Sequence, residues 1–315
     1  MSDQMNKKIS INTSTFGEYS KEPIDLLEAR GLNVKLNPYR RKLNGEEVIL
    51  LCKESVGIIS GTEMIDKEIL RELKNVKVIS RCGVGLDNVD TKKCQELGVK
   101  VYNTPGAPTT AVAELTIGLM LDLLRKISEM TSVLKTGRWD KMMGNLLFGK
   151  KIGIIGFGRI GQKVAELLLP FGTEISYYDK EKKKTKIKCE YKDMKKLIEW
   201  ADIITLHGSF DDKKTWPVIG ANEIKSMHKG SWLVNVSRGG VIDENALYSA
   251  LKTGHIAGAA LDVFGEEPYK GPLAGLENVI LTPHIGSYAK EARVKMEVEA
   301  VENLLEGLGI TKCGI

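Results

Sequence analysis

Lys151-Ile152-Gly153-Ile154-Ile155-Gly156-Phe157-Gly158-Arg159-Ile160-Gly161, with Glu174-Ile175-Ser176-Tyr177-Tyr178-Asp179 downstream, is the stretch that decides the fold. The apolar run Lys151 to Ile155 predicts a strand, the glycines a tight turn, and Ile160 to Leu168 an amphipathic helix. In that context each glycine has a task. Gly156 makes the turn, Gly158 lets the backbone approach a pyrophosphate, and Gly161 lets helix and strand pack closely. The amino end of the helix offers unpaired N–H groups and partial positive charge to phosphates. Phe157, Arg159 and Ile160 lie within the same turn. Asp179 ends the next strand ~20 residues beyond the glycines, where an acid accepts both hydroxyls of a ribose. The pattern therefore predicts a dinucleotide site, with NAD favoured over NADP because a carboxylate repels a 2′-phosphate. The lysines that follow Asp179 leave use of both cofactors open.

Outward from this unit, β-branched runs alternate with amphipathic stretches, the pattern of βαβ units around parallel sheets. In the first third, strands are expected at Lys8 to Asn12, Asn33 to Leu36, Gly57 to Ile59, Val76 to Ser80 and Val99 to Tyr102. Helices are expected near Ile24 to Ala29, Glu46 to Lys53, Lys67 to Leu73 and Thr91 to Leu97. Thr109 to Lys135 keeps helical apolar spacing for longer than any other stretch and predicts one bridging helix. Further strands are expected near Ile203, Leu233, Ala259 and Val279, then a helix from about Ala289 to Leu305 that returns to the first half. At 315 residues the chain suits two domains. These are expected to be residues 1–107 plus 288–315, and residues 108–287.

Composition excludes several classes. With 42% hydrophobic and 28% charged residues, neither disorder nor a membrane protein is indicated. The polar start, Met1 to Lys8, lacks a signal-type apolar core, so cytoplasmic location is expected. Cys52, Cys82, Cys94, Cys189 and Cys313 are odd in number and lack CxxC spacing, which points to reduced thiols and no metal site. A net charge of +5 could suggest nucleic acid, but the one dense basic run, Lys180 to Lys188, carries no nucleic-acid motif. No nucleic-acid or membrane partner is expected.

Three polar clusters follow predicted strands, where ligands of parallel sheets bind. They are Asn235-Val236-Ser237-Arg238-Gly239-Gly240, Asp262-Val263-Phe264-Gly265-Glu266-Glu267-Pro268 and Thr282-Pro283-His284-Ile285-Gly286-Ser287. Arginine forks to two oxygens at once and suits a carboxylate. Histidine suits reversible proton exchange, and a neighbouring acid orients it.

These clusters, the glycine turn, Gly83-Val84-Gly85-Leu86-Asp87-Asn88-Val89-Asp90, Asn103-Thr104-Pro105-Gly106 and Val112-Ala113-Glu114 closely resemble the D-2-hydroxyacid dehydrogenase family. Among its members the phosphoglycerate dehydrogenases are the most similar. The resemblance implies α/β architecture with two doubly wound parallel-sheet domains, a Rossmann NAD-binding domain and a flavodoxin-like substrate domain. It implies that Arg238 holds the substrate carboxylate and 2-oxo oxygen, that His284 exchanges the proton, and that Glu267 pairs with His284. It further implies that Arg81 and the backbone of Val84 and Gly85 contact substrate, that Asp262 lies near the nicotinamide amide and His207 near the adenosine, and that the chain is a homodimer paired through the long helix. The expected substrate is a small 2-hydroxy or 2-oxo acid of phosphoglycerate type, with hydroxypyruvate or glyoxylate as the alternative. An NAD-sensing corepressor is the alternative of a different class.

Two departures from the family pattern stand out. His207-Gly208-Ser209-Phe210-Asp211-Asp212 replaces a His-x-Pro motif, which would change the lining around the adenine. Ser60-Gly61-Thr62 stands where phosphoglycerate enzymes tend to carry a phosphate-binding arginine. No regulatory domain is expected after Ile315.

Overall fold

The computed structural model describes residues 7–209 and 216–310; Phe210, Asp211, Asp212 and Cys313 of the motifs above lie outside the described residues. The chain divides into two compact units, Met1–Pro108 with Ser287–Ile315, and Thr109–Gly286.

The first unit alternates β1 (Lys8–Ile11), α1 (Glu22–Glu28), β2 (Asn33–Leu36), α2 (Gly45–Cys52), β3 (Gly57–Ser60), α3 (Lys67–Glu72), β4 (Val78–Arg81), α4 (Thr91–Glu96) and β5 (Lys100–Asn103). The strands form a parallel sheet in the order β2-β1-β3-β4-β5. Period-two alternation sends Ile9, Ile11, Ile59 and Val78 into one buried cluster and Ile58 and Ile79 into another, so both faces must be covered by helices. Helix starts are marked by side chains of the expected kind. Asn44 caps α2 in a reciprocal box with Glu47, and Asp66 and Asp90 accept N–H groups of the first turns of α3 and α4.

In the second unit the sequence predicts one helix, and the structure has two: α5 (Thr109–Arg125) and α6 (Ile127–Lys135). Lys126 between them is left-handed at φ 54°, and the Asp122 carboxylate accepts both the N–H and the hydroxyl of Ser128. A side chain on the last turn of α5 thus satisfies one opening N–H of α6, that of Ser128, and the axis breaks although apolar spacing continues. Then follow β6 (Lys151–Ile155), α7 (Arg159–Leu168), β7 (Glu174–Tyr178), β8 (Glu190–Tyr191), α8 (Met194–Trp200), β9 (Ile203–Leu206), α9 (Ala221–Ser226), β10 (Ser231–Asn235), α10 (Glu244–Lys252), β11 (Ile256–Leu261) and β12 (Val279–Leu281). The seven strands are parallel, in the order β12-β11-β10-β9-β6-β7-β8.

Ile152 and Ile154 of β6 pack towards α5 and α7, while Ile155, with Leu206 and Leu233, packs towards α8, α9 and α10. Because β7 and β9 flank β6 on opposite sides, the order reverses there, and the turn after β6 lies where open α/β sheets bind ligands. The last helix, α11 (Lys290–Gly307), packs on β3, β4, β5 and α1 of the first unit. Both domains are doubly wound parallel sheets, as the alternation predicts. Among the described residues no helix is long and apolar enough to cross a membrane.

Candidate active site

The glycine turn leaves β6 with Gly156 at φ +91°, a conformation that a side chain would strain. A Cβ on Gly156 would lie 2.3 Å from the Gly208 nitrogen, and one on Gly161 would lie 2.2 Å from the Gly156 oxygen. These two positions are closed by backbone on backbone. Gly158, the residue before α7, has nothing within 4 Å of where a Cβ would sit, and no side chain caps the helix behind it. Open space meets uncapped N–H groups at the one place in the turn where a pyrophosphate requires both, so the residues present fit a dinucleotide. Arg159 is exposed, Ile160 is half-buried, and the Phe157 ring is buried against Tyr177.

Asp179, directly after β7, accepts the Phe157 N–H through Oδ2 at 2.8 Å. The turn and the acid are thereby joined. His207, directly after β9, is buried; its Nε2 lies 2.8 Å from the Thr205 hydroxyl and its Nδ1 has no hydrogen-bond partner among the described residues. Burial holds its pKa down to about 3, so the ring is neutral.

The other clusters stand at the ends of three adjacent strands, β10, β11 and β12. After β10, the buried Asn235 organises the loop. Its Oδ1 accepts from the Ser237 N–H at 3.0 Å and hydroxyl at 2.7 Å, and its Nδ2 donates to the Arg238 carbonyl at 2.9 Å. Arg238 is half-exposed and donates through Nη1 to the Ser237 carbonyl at 2.8 Å. The next residue, Gly239, lies against the loop after β11: a Cβ there would be 1.6 Å from the Phe264 oxygen. That second loop carries Glu267, whose Oε1 accepts the Phe264 N–H at 3.2 Å.

After β12, His284 presents Nδ1 to Glu267, 2.9 Å from Oε2 and 3.1 Å from Oε1. With Nδ1–H donating to the carboxylate, Nε2 is the nitrogen left to exchange a proton. Its backbone is left-handed at φ 54°, which a non-glycine residue holds only when its surroundings impose it.

Asp262, at the end of β11, imposes it. Its Oδ1 accepts the Thr282 hydroxyl at 2.6 Å and the Ile285 N–H at 2.8 Å, and its Oδ2 accepts the Gly286 N–H at 2.8 Å. Burial raises its pKa, while the bonds from Thr282, Ile285 and Gly286 and the nearby His284 oppose that rise. The sequence supplies Asp262 as a candidate but gives no sign that it grips the loop of His284 on both sides. Asn235 carried no role at all, although a lone amide closing the apolar run Leu233-Val234 was the available signal.

In the first unit Arg81 ends β4 and curls back, its Nη1 donating to the Cys82 carbonyl at 3.0 Å. The Gly83 N–H donates to the Thr104 hydroxyl at 2.8 Å, and Asn103 donates to the Val84 carbonyl at 2.6 Å, so the loop through Val84 and Gly85 is tied to the end of β5.

Residues 117–286 match the D-isomer specific 2-hydroxyacid dehydrogenase NAD-binding domain. The chain is 41% identical over 275 residues to a hydroxypyruvate reductase of Thermotoga maritima, which spans 85% of this chain and 90% of that protein. It is 42% identical over 277 residues to a D-3-phosphoglycerate dehydrogenase of Methanocaldococcus jannaschii, spanning 84% of this chain but 52% of that protein. A solved structure from Thermus thermophilus matches with a TM-score of 0.88 at 33% identity, covering 96% of this chain and 97% of that one. The parallel sheets, the glycine turn and these likenesses agree, and the chain belongs to the D-isomer specific 2-hydroxyacid dehydrogenase family of NAD-dependent enzymes.

Proposed function

We propose that this enzyme reduces a small, unphosphorylated 2-oxo acid of the hydroxypyruvate or glyoxylate kind to its D-2-hydroxy acid, and runs the reverse oxidation. NAD, when bound, supplies or accepts the hydride. The Arg238 guanidinium pairs with the substrate carboxylate and polarises the 2-oxo oxygen. His284 gives that oxygen a proton from Nε2 during reduction and takes the hydroxyl proton during oxidation. Glu267, accepting at His284 Nδ1, fixes the tautomer and the orientation of the ring. The observation that carries the reading is the His284–Glu267 pair at 2.9 Å, on a loop whose backbone Asp262 clamps.

Gly156, Phe157, Gly158, Arg159, Ile160, Gly161, Asp179, His207 and Asp262 are assigned to the cofactor. Arg81, Val84 and Gly85 are assigned to the substrate. The choice against phosphate rests on the end of β3. Ser60-Gly61-Thr62-Glu63 itself carries no cation, the neighbouring Arg81 at the end of β4 is turned onto the Cys82 carbonyl, and the buried Glu63 carboxylate, which accepts the Gly61 N–H at 2.9 Å, would repel a phosphate. The 42% identity to a phosphoglycerate dehydrogenase favours phosphohydroxypyruvate as a second reading.

A panel of 2-oxo acids, phosphorylated and not, assayed by loss of NADH absorbance, tests the choice. Hydroxypyruvate or glyoxylate should exceed phosphohydroxypyruvate in kcat/KM by at least ~tenfold, about what one misplaced charge costs. The reverse order would establish the second reading. Absence of turnover with every acid, together with NADH-dependent capture of a peptide, would favour the corepressor.

We also infer a homodimer. Ile127 and Leu134 of α6, and Trp139, Met143, Leu146 and Phe148 after it, are large apolar side chains left exposed along one stretch. Isolated exposed residues are ordinary, but a run of six favours a second copy as cover. Sedimentation of a monomer at micromolar concentration would count against it.

A further inference from the structure

Asp179 does not stand alone at the end of β7. Two residues earlier the buried Tyr177 ring stacks on Phe157 at 3.9 Å between centroids and meets Tyr191 edge-on at 5.5 Å. Those contacts fix where its hydroxyl emerges. The hydroxyl donates to the Lys183 carbonyl at 3.0 Å and accepts the Lys183 N–H at 3.1 Å. Both backbone polar groups of Lys183 are held in this way, and its ammonium lies 3.5 Å from Asp179 Oδ1. It also lies 3.8 Å from Glu181 Oε2, a strongly exposed carboxylate in which water weakens the attraction.

We propose that Lys183 sets cofactor choice by admitting the 2′-phosphate of NADP(H), so that the enzyme uses both nicotinamide dinucleotides. The inference rests on the reading that Asp179 receives the adenosine ribose. A lone carboxylate at that place repels a 2′-phosphate. Here the carboxylate carries its own cation, and the local charge is close to balanced. The ammonium sits on a flexible four-carbon stem with three donors, so it can turn from Asp179 to a phosphate oxygen while its backbone stays tethered to Tyr177. With NADH it returns to Asp179, whose oxygens then take the ribose hydroxyls. Lys180, Lys182 and Lys184 are exposed, and among the described residues the ion pair with Asp179 is made by Lys183; the other three contribute a screened field.

The test is equilibrium binding to the nucleotide-free chain. NADH and NADPH are titrated at fixed ionic strength, following energy transfer from protein tryptophan to the reduced nicotinamide. For the parent protein the two Kd values should agree within about tenfold. Lys183→Ala should raise the ratio of the NADPH Kd to the NADH Kd by at least ~tenfold, and Lys183→Arg should restore most of it. Lys184→Ala removes the same charge one residue away and should move the ratio by less than about threefold. The proposal is overturned if the parent binds NADH but not millimolar NADPH, or if the two alanine variants shift the ratio equally. Failure of both dinucleotides to bind would instead overturn the cofactor reading itself, and this proposal with it.

Discussion

The turn after β6 and the loops after β10, β11 and β12 prepare for ligands by opposite means. At the turn the essential quantity is missing side chain: Gly156 and Gly161 have backbone 2.3 Å and 2.2 Å from where a Cβ would be, and Gly158 faces open space. At the strand ends it is side chain in the right company. Asn235 shapes the Arg238 loop, Asp262 grips the His284 loop, and Glu267 orients the imidazole. At Gly156 and Gly161 such a site fails on any substitution, because steric overlap with backbone cannot be relieved by rotating a bond. A site of the second kind should degrade in steps, since each hydrogen bond contributes about 0.5–1.5 kcal/mol net.

The largest effect that separates the two kinds is expected from Gly156→Ala. Its methyl would meet the Gly208 nitrogen, and the φ of +91° would be strained besides. NADH affinity should fall by ~10³ or more, the equivalent of about 4 kcal/mol, in an isothermal titration. Near-parental affinity would show that the backbone contact yields and that the contrast is overdrawn.

Asp262→Ala should cost less and in a graded manner. It leaves the Thr282 hydroxyl and two backbone N–H groups without their acceptor, at about 1–3 kcal/mol each where water cannot replace it. We expect lower stability in urea and a kcat reduced ~10- to 100-fold as the His284 backbone relaxes from its left-handed conformation. Asp262→Asn, which keeps one acceptor oxygen, should fall between parent and alanine. An alanine variant with parental kcat would show that the loop needs no clamp.

The smallest effect concerns acid stability. His207 is held neutral by burial, with its pKa lowered to about 3 from 6.5. Below the unfolded value the unfolded chain binds a proton that the folded chain refuses. This group's share of stability is therefore intact above pH 6.5 and is lost as pH falls from there towards 3, by up to ~1.4 kcal/mol per pH unit. Urea unfolding at pH 7, 6 and 5 should show a shallower decline for His207→Gln than for the parent. Equal slopes would mean that water reaches the imidazole.

The contrast also accounts for what could be read from the letters. Glycines that must be glycine announce themselves, and the strand, turn, helix and acid of Lys151 to Asp179 were recognisable with their boundaries nearly in place. Alternation of β-branched and amphipathic stretches likewise gave both parallel sheets, because burial on two faces leaves little choice of residue. The break at Lys126 was hidden, since it depends on Asp122 bonding to Ser128 and not on any lapse in apolar spacing. Asp262 stood out as a polar residue at a strand end, but its three partners lie twenty or more residues away, and pairing at that range leaves no periodic trace. Lys183 was one lysine among several until the Tyr177 hydroxyl singled it out.

The central claim is that His284, oriented by Glu267, moves the proton. It is tested most directly by measuring kcat for 2-oxo acid reduction and the NADH Kd on the same preparation of His284→Ala. Loss of acid–base help should lower kcat by ~10² to 10⁴ while the Kd stays within about threefold of the parent. A variant that binds NADH normally and turns over within about threefold of the parent rate would contradict the account.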